Sequence, residues 1–78
     1  MQIDKEKEEF LQKLGQRIKE LRIAKGYTNY EIFAYDNNIP RAQYGRYEKG
    51  ENLRIFSFFK ILKALEISPK DFFKEGFD

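Results

Sequence analysis

Residues 36–38, Asp-Asn-Asn, interrupt a helical pattern, and a new pattern starts almost at once, at Pro40. Only a few residues are left for the chain to reverse. Asparagine tolerates positive φ better than most residues, so Asn37 or Asn38 can make the turn. Upstream, "TNYEIFAY" opens with Thr28 and carries Glu31 three residues later, which predicts a capping box and a short helix. Downstream, "IPRAQYGRYEKG" (residues 39–50) starts a helix at Pro40, runs to about Lys49 and stops at Gly50. The chain is therefore committed to two short helices joined by a tight turn.

The remaining segments are also helical. From about Lys5 to Lys25, Phe10, Leu14, Ile18 and Leu21 fall on one face, and Gly26 suits a left-handed cap. After the loop "ENLR", the stretch "IFSFFKILKAL" places Ile55, Phe58, Phe59, Leu62 and Leu65 on one face, with Phe56 and Ile61 off it. A helix apolar on several sides is buried more than usual or meets a partner. Ser68 caps a fifth helix, with Pro69 at its first position and Asp71 at its third. No segment alternates as a strand does. The expectation is an all-α domain of five helices over residues 1–78, with residues 1–12 extending the first helix and residues 28–50 forming the central helical pair.

Composition narrows the chemistry. The 78 residues contain no cysteine and no histidine, which removes thiolate sites, the commonest general base and the commonest transition-metal ligand. The serines are Ser57 and Ser68, and no convergent carboxylate pair can be placed. Glu6, Glu8 and Glu9 alternate with lysines at a solvated helix start. An enzyme, a metal site and a cofactor are not expected. Eight phenylalanines and five tyrosines supply apolar area for a compact core. No apolar run reaches membrane-spanning length, and the charged N-terminus lacks a signal core, so a cytoplasmic protein is expected. The net charge of +2 is uninformative alone, but Lys13, Arg17, Lys19, Arg22 and Lys25 against Glu20 make a local positive excess.

Winding residues 39–50 at roughly 100° per residue resolves their mixture. Arg41, Gly45, Lys49, Ala42 and Arg46 form one continuous stripe, cationic and without apolar bulk. Gln43, Tyr47, Tyr44 and Glu48 occupy the other side. Arginine binds guanine through two parallel hydrogen bonds, and small residues between arginines let a helix sit deep in a major groove. Gly45, costly within a helix by about 1 kcal/mol against alanine, fits a close approach to the groove wall or phosphates. The tyrosines at 44 and 47 read as core, and a solvated face is the bland alternative for the stripe.

Four pieces together, "IKELRIAKGYT", "FA" at 33–34, "IPRAQYGRYEKG" and "FFKILKALEISPKDFF", resemble the Cro/Xre-type, lambda-repressor-like helix-turn-helix family. The resemblance runs from about Leu14 to Phe73. It implies a transcriptional regulator that binds double-stranded DNA in a sequence-specific way, with helix 40–49 in the major groove. It assigns base contacts to Arg41, Ala42, Gln43 and Arg46. It gives Asn29 or Tyr30 as the phosphate contact of the second helix, with Pro40 at the cap of the third; the cationic face and the loop after Gly50 add Gly45, Lys49, Asn52 and Arg54 as expected phosphate contacts. Ala34 becomes the small residue that lets the third helix pack closely, Ile39 the apolar anchor of the turn, and Arg22–Glu48 a salt bridge tying the first helix to the third. Departures are an extra residue between Thr28 and Phe33, Pro40 in place of a Ser/Thr cap, and Asn38 where glycine is common.

One such module covers few base pairs, so a homodimer on two half-sites is expected. Phe72, Phe73 and Phe77 are either a dimer surface or the last piece of core, with Phe77 the favoured contact residue. The alternative reading is a protein-interaction module of the same fold, an antitoxin or regulatory subunit holding a partner through its Phe-rich end.

Overall fold

The computed structural model describes residues 2–51 and 53–77. These form five helices: α1 (Gln2–Ala24), α2 (Tyr30–Asp36), α3 (Arg41–Glu48), α4 (Ile55–Leu65) and α5 (Pro69–Phe72). No strand occurs among the described residues. The architecture is the expected all-α, lambda-repressor-like one.

Helix ends follow local chemistry, with one correction. At the end of α1 the Tyr27 N–H reaches back to the Arg22 carbonyl while Gly26 takes φ 108°, the left-handed geometry that closes a helix. Gly50 ends α3 likewise at φ 84°. Ser68 Oγ accepts from the Asp71 N–H at 3.1 Å, with Pro69 inside the first turn of α5. The cap of α2, however, is Asn29 rather than Thr28. Its Oδ1 accepts from the N–H groups of Glu31 (2.7 Å) and Ile32 (3.2 Å). Both residue types are good caps, and the helix simply starts one residue later. The expected Thr28–Glu31 capping box does not form, so the Glu31 carboxylate has no part in the cap. The reversal between α2 and α3 is made at Asn38, with φ 58°, while Asn37 keeps φ −110°.

The core is one cluster drawn from all five helices: Leu14, Ile18, Phe33, Ala34, Ile39, Tyr44, Phe58, Ile61, Leu62, Leu65 and Phe72. Ala34 and Ile39 are buried as expected. The helical face of α4 is rotated from the expected one. Ile61 is fully buried, whereas Ile55 is 68% and Phe59 48% exposed. Buried positions 58, 61, 62 and 65 have regular helical spacing. The sequence permits either face because apolar residues surround the helix, and packing against α1 and α5 selects this one. For Phe72 the core alternative holds. It is completely buried, edge-on to Phe58 with ring centroids 5.1 Å apart, and so is core rather than dimer surface. Phe77 is half-buried against Phe10, Phe72 and Phe73.

α1 crosses the end of α3 very closely. A Cβ on buried Gly15 would stand 2.6 Å from both the Tyr47 and the Glu48 carbonyl oxygens. Only glycine permits that approach. It sets the distance between the longest helix and the cationic one.

Candidate nucleic-acid interface

α3 is anchored from behind. Tyr44 is fully buried and Tyr47 half-buried, so the side of the helix that carries them faces the protein. Glu48 accepts two hydrogen bonds from Arg22, from Nε at 2.7 Å and from Nη2 at 3.1 Å. A third Arg22 nitrogen, Nη1, donates to the Tyr27 carbonyl at 2.6 Å. Arg22 is 3% exposed, so this pair is a desolvated link between α1, the α1–α2 loop and α3. Hydrogen bonding to Glu48 holds the guanidinium pKa above its ordinary value, against the opposing effect of burial. A bidentate fork of this kind fixes orientation as well as distance. The expected Arg22–Glu48 salt bridge is therefore present.

The opposite side of α3 is open. Arg41, Ala42, Gln43, Arg46 and Lys49 are all exposed. Arg41, Ala42 and Arg46 thus lie with Lys49 on the expected stripe, whereas Gln43, expected on the other side with the tyrosines, is exposed at the stripe's far edge and lines a cleft with Arg46. Arg54 is exposed at the start of α4 and lines, with Gln43, Arg46, Tyr47, Glu51 and Ser57, a shallow cleft between α3 and α4. The Tyr47 and Ser57 hydroxyls approach within 3.5 Å on the cleft wall. Asn52 lies outside the described residues. Pro40 is the exposed N-cap of α3 and has no N–H, so it has no donor for a phosphate.

Gly45 has a reason other than the expected one. A Cβ there would meet the Tyr30 ring, at 3.0 Å from Cε1 and 3.3 Å from the hydroxyl oxygen. The space vacated by the missing side chain is filled from within the protein. Tyr30 lies over α3 at this point, stacked on Tyr44 with centroids 6.2 Å apart, and is still 39% exposed. Gly45 thereby brings the Tyr30 hydroxyl beside the cationic stripe. Asn29, its neighbour, spends its carbonyl oxygen on the α2 cap.

Two features escaped sequence reading. Arg41 pairs with Glu31 of α2, Nη1 to Oε2 at 3.7 Å, across the turn. The other is an exposed apolar patch at the start of α4, formed by Ile55, Phe56 (80% exposed) and Phe59, with Phe73 of the C-terminal segment also 39% exposed. The signal for the patch was the apolar excess of α4 on more than one side.

A buried anchor, a small-residue-mediated corner and an exposed cationic second helix define the helix-turn-helix class. The helix-turn-helix family model matches residues 18–72, and the chain belongs to that family, as a DNA-binding transcriptional regulator of the Cro/Xre type. Among solved structures, the chain is similar to the restriction-modification controller protein C.AhdI from Aeromonas hydrophila, with 38% identity and a TM-score of 0.71 over 81% of this chain and 96% of that one. It is also similar to a single-substitution mutant of the restriction-modification controller protein C.Esp1396I, with 40% identity and a TM-score of 0.73 over 82% of this chain and 85% of that one. No curated protein matches the chain.

No helix among the described residues is long and apolar enough to cross a membrane, and no group of potential metal ligands converges among them.

Proposed function

We propose that this chain is a controller-type transcription factor of a restriction–modification system, acting in the cytoplasm as a homodimer, without catalysis. The single observation that carries the reading is the division of α3. Tyr44 and Glu48 lock one side to the body of the protein, and Arg41, Ala42 and Arg46 stand exposed on the other, with Gln43 exposed at its edge. The likeness to two controller proteins over most of both chains supports the regulatory setting.

In this reading α3 lies in the major groove. Arg41 and Arg46 are suited to guanine edges, Gln43 to adenine, and the Ala42 methyl to thymine. Lys49 and Arg54 contact phosphates on either side of the groove and fix the helix in register, and the Tyr30 hydroxyl joins them from α2. The rigid Arg22–Glu48 link matters because base readout needs side chains placed on a fixed helix rather than a mobile one. The second half-site is read by a second copy of the chain. Its contact surface is the Ile55, Phe56, Phe59 and Phe73 patch, which is apolar where the DNA face is cationic.

The test is Arg46→Ala, titrated by fluorescence anisotropy against a selected duplex and its single-base variants. The substitution is expected to weaken binding by about 1–3 kcal/mol and to relax the preference at one base position. Equal weakening on every duplex, with base preference intact, would show that Arg46 touches only the backbone.

A further inference from the structure

We infer that Glu31 is a specificity-determining residue of the DNA interface, acting by holding Arg41 in position at the start of α3. This rests on the proposed DNA reading and extends it to a residue outside α3. The Glu31 carboxylate is not needed at its own helix end, because Asn29 caps α2. It points instead across the turn, with Oε2 3.7 Å from Arg41 Nη1. The Arg41 side chain makes no hydrogen bond among the described residues, and Glu31 is the carboxylate paired with it there, which is what would orient it. Both side chains are open to solvent, 66% exposed for Arg41 and 51% for Glu31, at the edge of the surface that faces DNA.

A carboxylate at that edge is repelled by every phosphate, whatever the base sequence. It therefore lowers generic affinity. It is compatible with tight binding only where Arg41, held by it, finds the base it is aimed at. Specificity is a difference between two affinities, so this uniform penalty alone leaves it unchanged; what raises it is Arg41 held ready for its base, a gain realised only on the correct sequence. Arg41 also stands at the positive end of the α3 dipole, where an unaccompanied cation is disfavoured. The competing explanation is that Glu31, in the first turn of α2, only stabilises that helix through its dipole. The two differ in whether Arg41 is required.

A double-mutant cycle separates them. Wild type, Glu31→Gln, Arg41→Ala and the double variant are titrated at one salt concentration. The two duplexes are one selected from a random-sequence pool and a shuffled one of equal length. Glu31→Gln is expected to tighten the shuffled duplex more than the selected one. The ratio of the two affinities should fall about fivefold, the upper range for an exposed ion pair. In the Arg41→Ala background the same change should leave the ratio unaltered. Glu31→Asp keeps a charge at the start of α2 but withdraws it from Arg41, and should lose discrimination as Glu31→Gln does. A ratio unchanged in the Glu31→Gln variant, or lowered equally with and without Arg41, overturns the inference. A wild-type protein that does not distinguish the duplexes at all contradicts the DNA reading beneath it.

Discussion

Gly15 and Gly45 are both glycines inside helices, and the structure predicts opposite consequences for replacing them with alanine. Each replacement gains about 1 kcal/mol of helix propensity. At Gly15 the new methyl would meet two backbone carbonyl oxygens at 2.6 Å and the Glu48 carbonyl carbon at 2.9 Å. An ordinary carbon–oxygen contact begins at about 3.3 Å, so α1 and α3 must separate by roughly 0.7 Å. Backbone cannot rotate away as a side chain can. Overpacking of this kind costs typically about 1–3 kcal/mol, and contact with backbone atoms that cannot move aside places it in the upper part of that range. Gly15→Ala should therefore destabilise the fold by about 1–2 kcal/mol, lowering Tm by roughly 5–15 °C in a domain of this size. At Gly45 the obstacle is the Tyr30 ring, at 3.0 Å, which is partly exposed and free to tilt outward. Gly45→Ala should leave Tm unchanged or raise it. Far-UV circular dichroism melts of the two variants beside wild type decide the matter. A Gly15→Ala protein as stable as Gly45→Ala would refute the close crossing of α1 over α3.

Three further outcomes are expected. Arg22→Ala removes the partner of Glu48, whose side chain is 9% exposed, and should cost about 3–5 kcal/mol in urea unfolding; a small change would mean that the carboxylate is hydrated. Burial, with the Glu48 carboxylate nearby, pushes the Tyr44 phenol pKa far above its ordinary 10.0, so folding favours the protonated form. Its contribution is complete below the unfolded value of about 10 and is lost as pH rises beyond it. Tyr44→Phe should thus flatten the fall in stability above pH 10. Because the buried hydroxyl makes no hydrogen bond among the described residues, the variant should be neutral or stabilising at pH 7. Phe56→Lys, at an 80% exposed site, should preserve the monomer fold but shift sedimentation equilibrium toward monomer; an unaltered dimer would place the interface elsewhere.

The helix-turn-helix was legible because its signals are local. Gly26, Gly50, the asparagines before Pro40 and the Ser68–Pro69 pair each announce a chain reversal or a helix end in a few residues. The division of α3 followed from its periodicity, except that Gln43, grouped there with the tyrosines, is exposed. Arg22–Glu48 needed the family resemblance, since 26 residues separate the partners. What failed depended on neighbours in space. Residues 55–62 are apolar on too many sides for periodicity to select the buried face, so Ile61 and Ile55 exchanged places. Phe72, Phe73 and Phe77 are alike in sequence, and only packing against Phe58 sends Phe72 into the core. Gly45 was read only as an approach to DNA, and the Tyr30 ring that lies against it gave no signal in sequence because it comes from another helix. Gly15 gave no signal because its reason lies in the carbonyls of another helix.

The central claim is that the exposed side of α3 reads DNA sequence in pairs of half-sites. Selection of bound duplexes from a random-sequence pool tests it most directly. The expected product is a two-fold symmetric site with half-sites about 10 base pairs, or a multiple, apart. Its affinity should fall steeply as salt rises. A pool from which no sequence is enriched, bound with an affinity indifferent to salt, would contradict the claim.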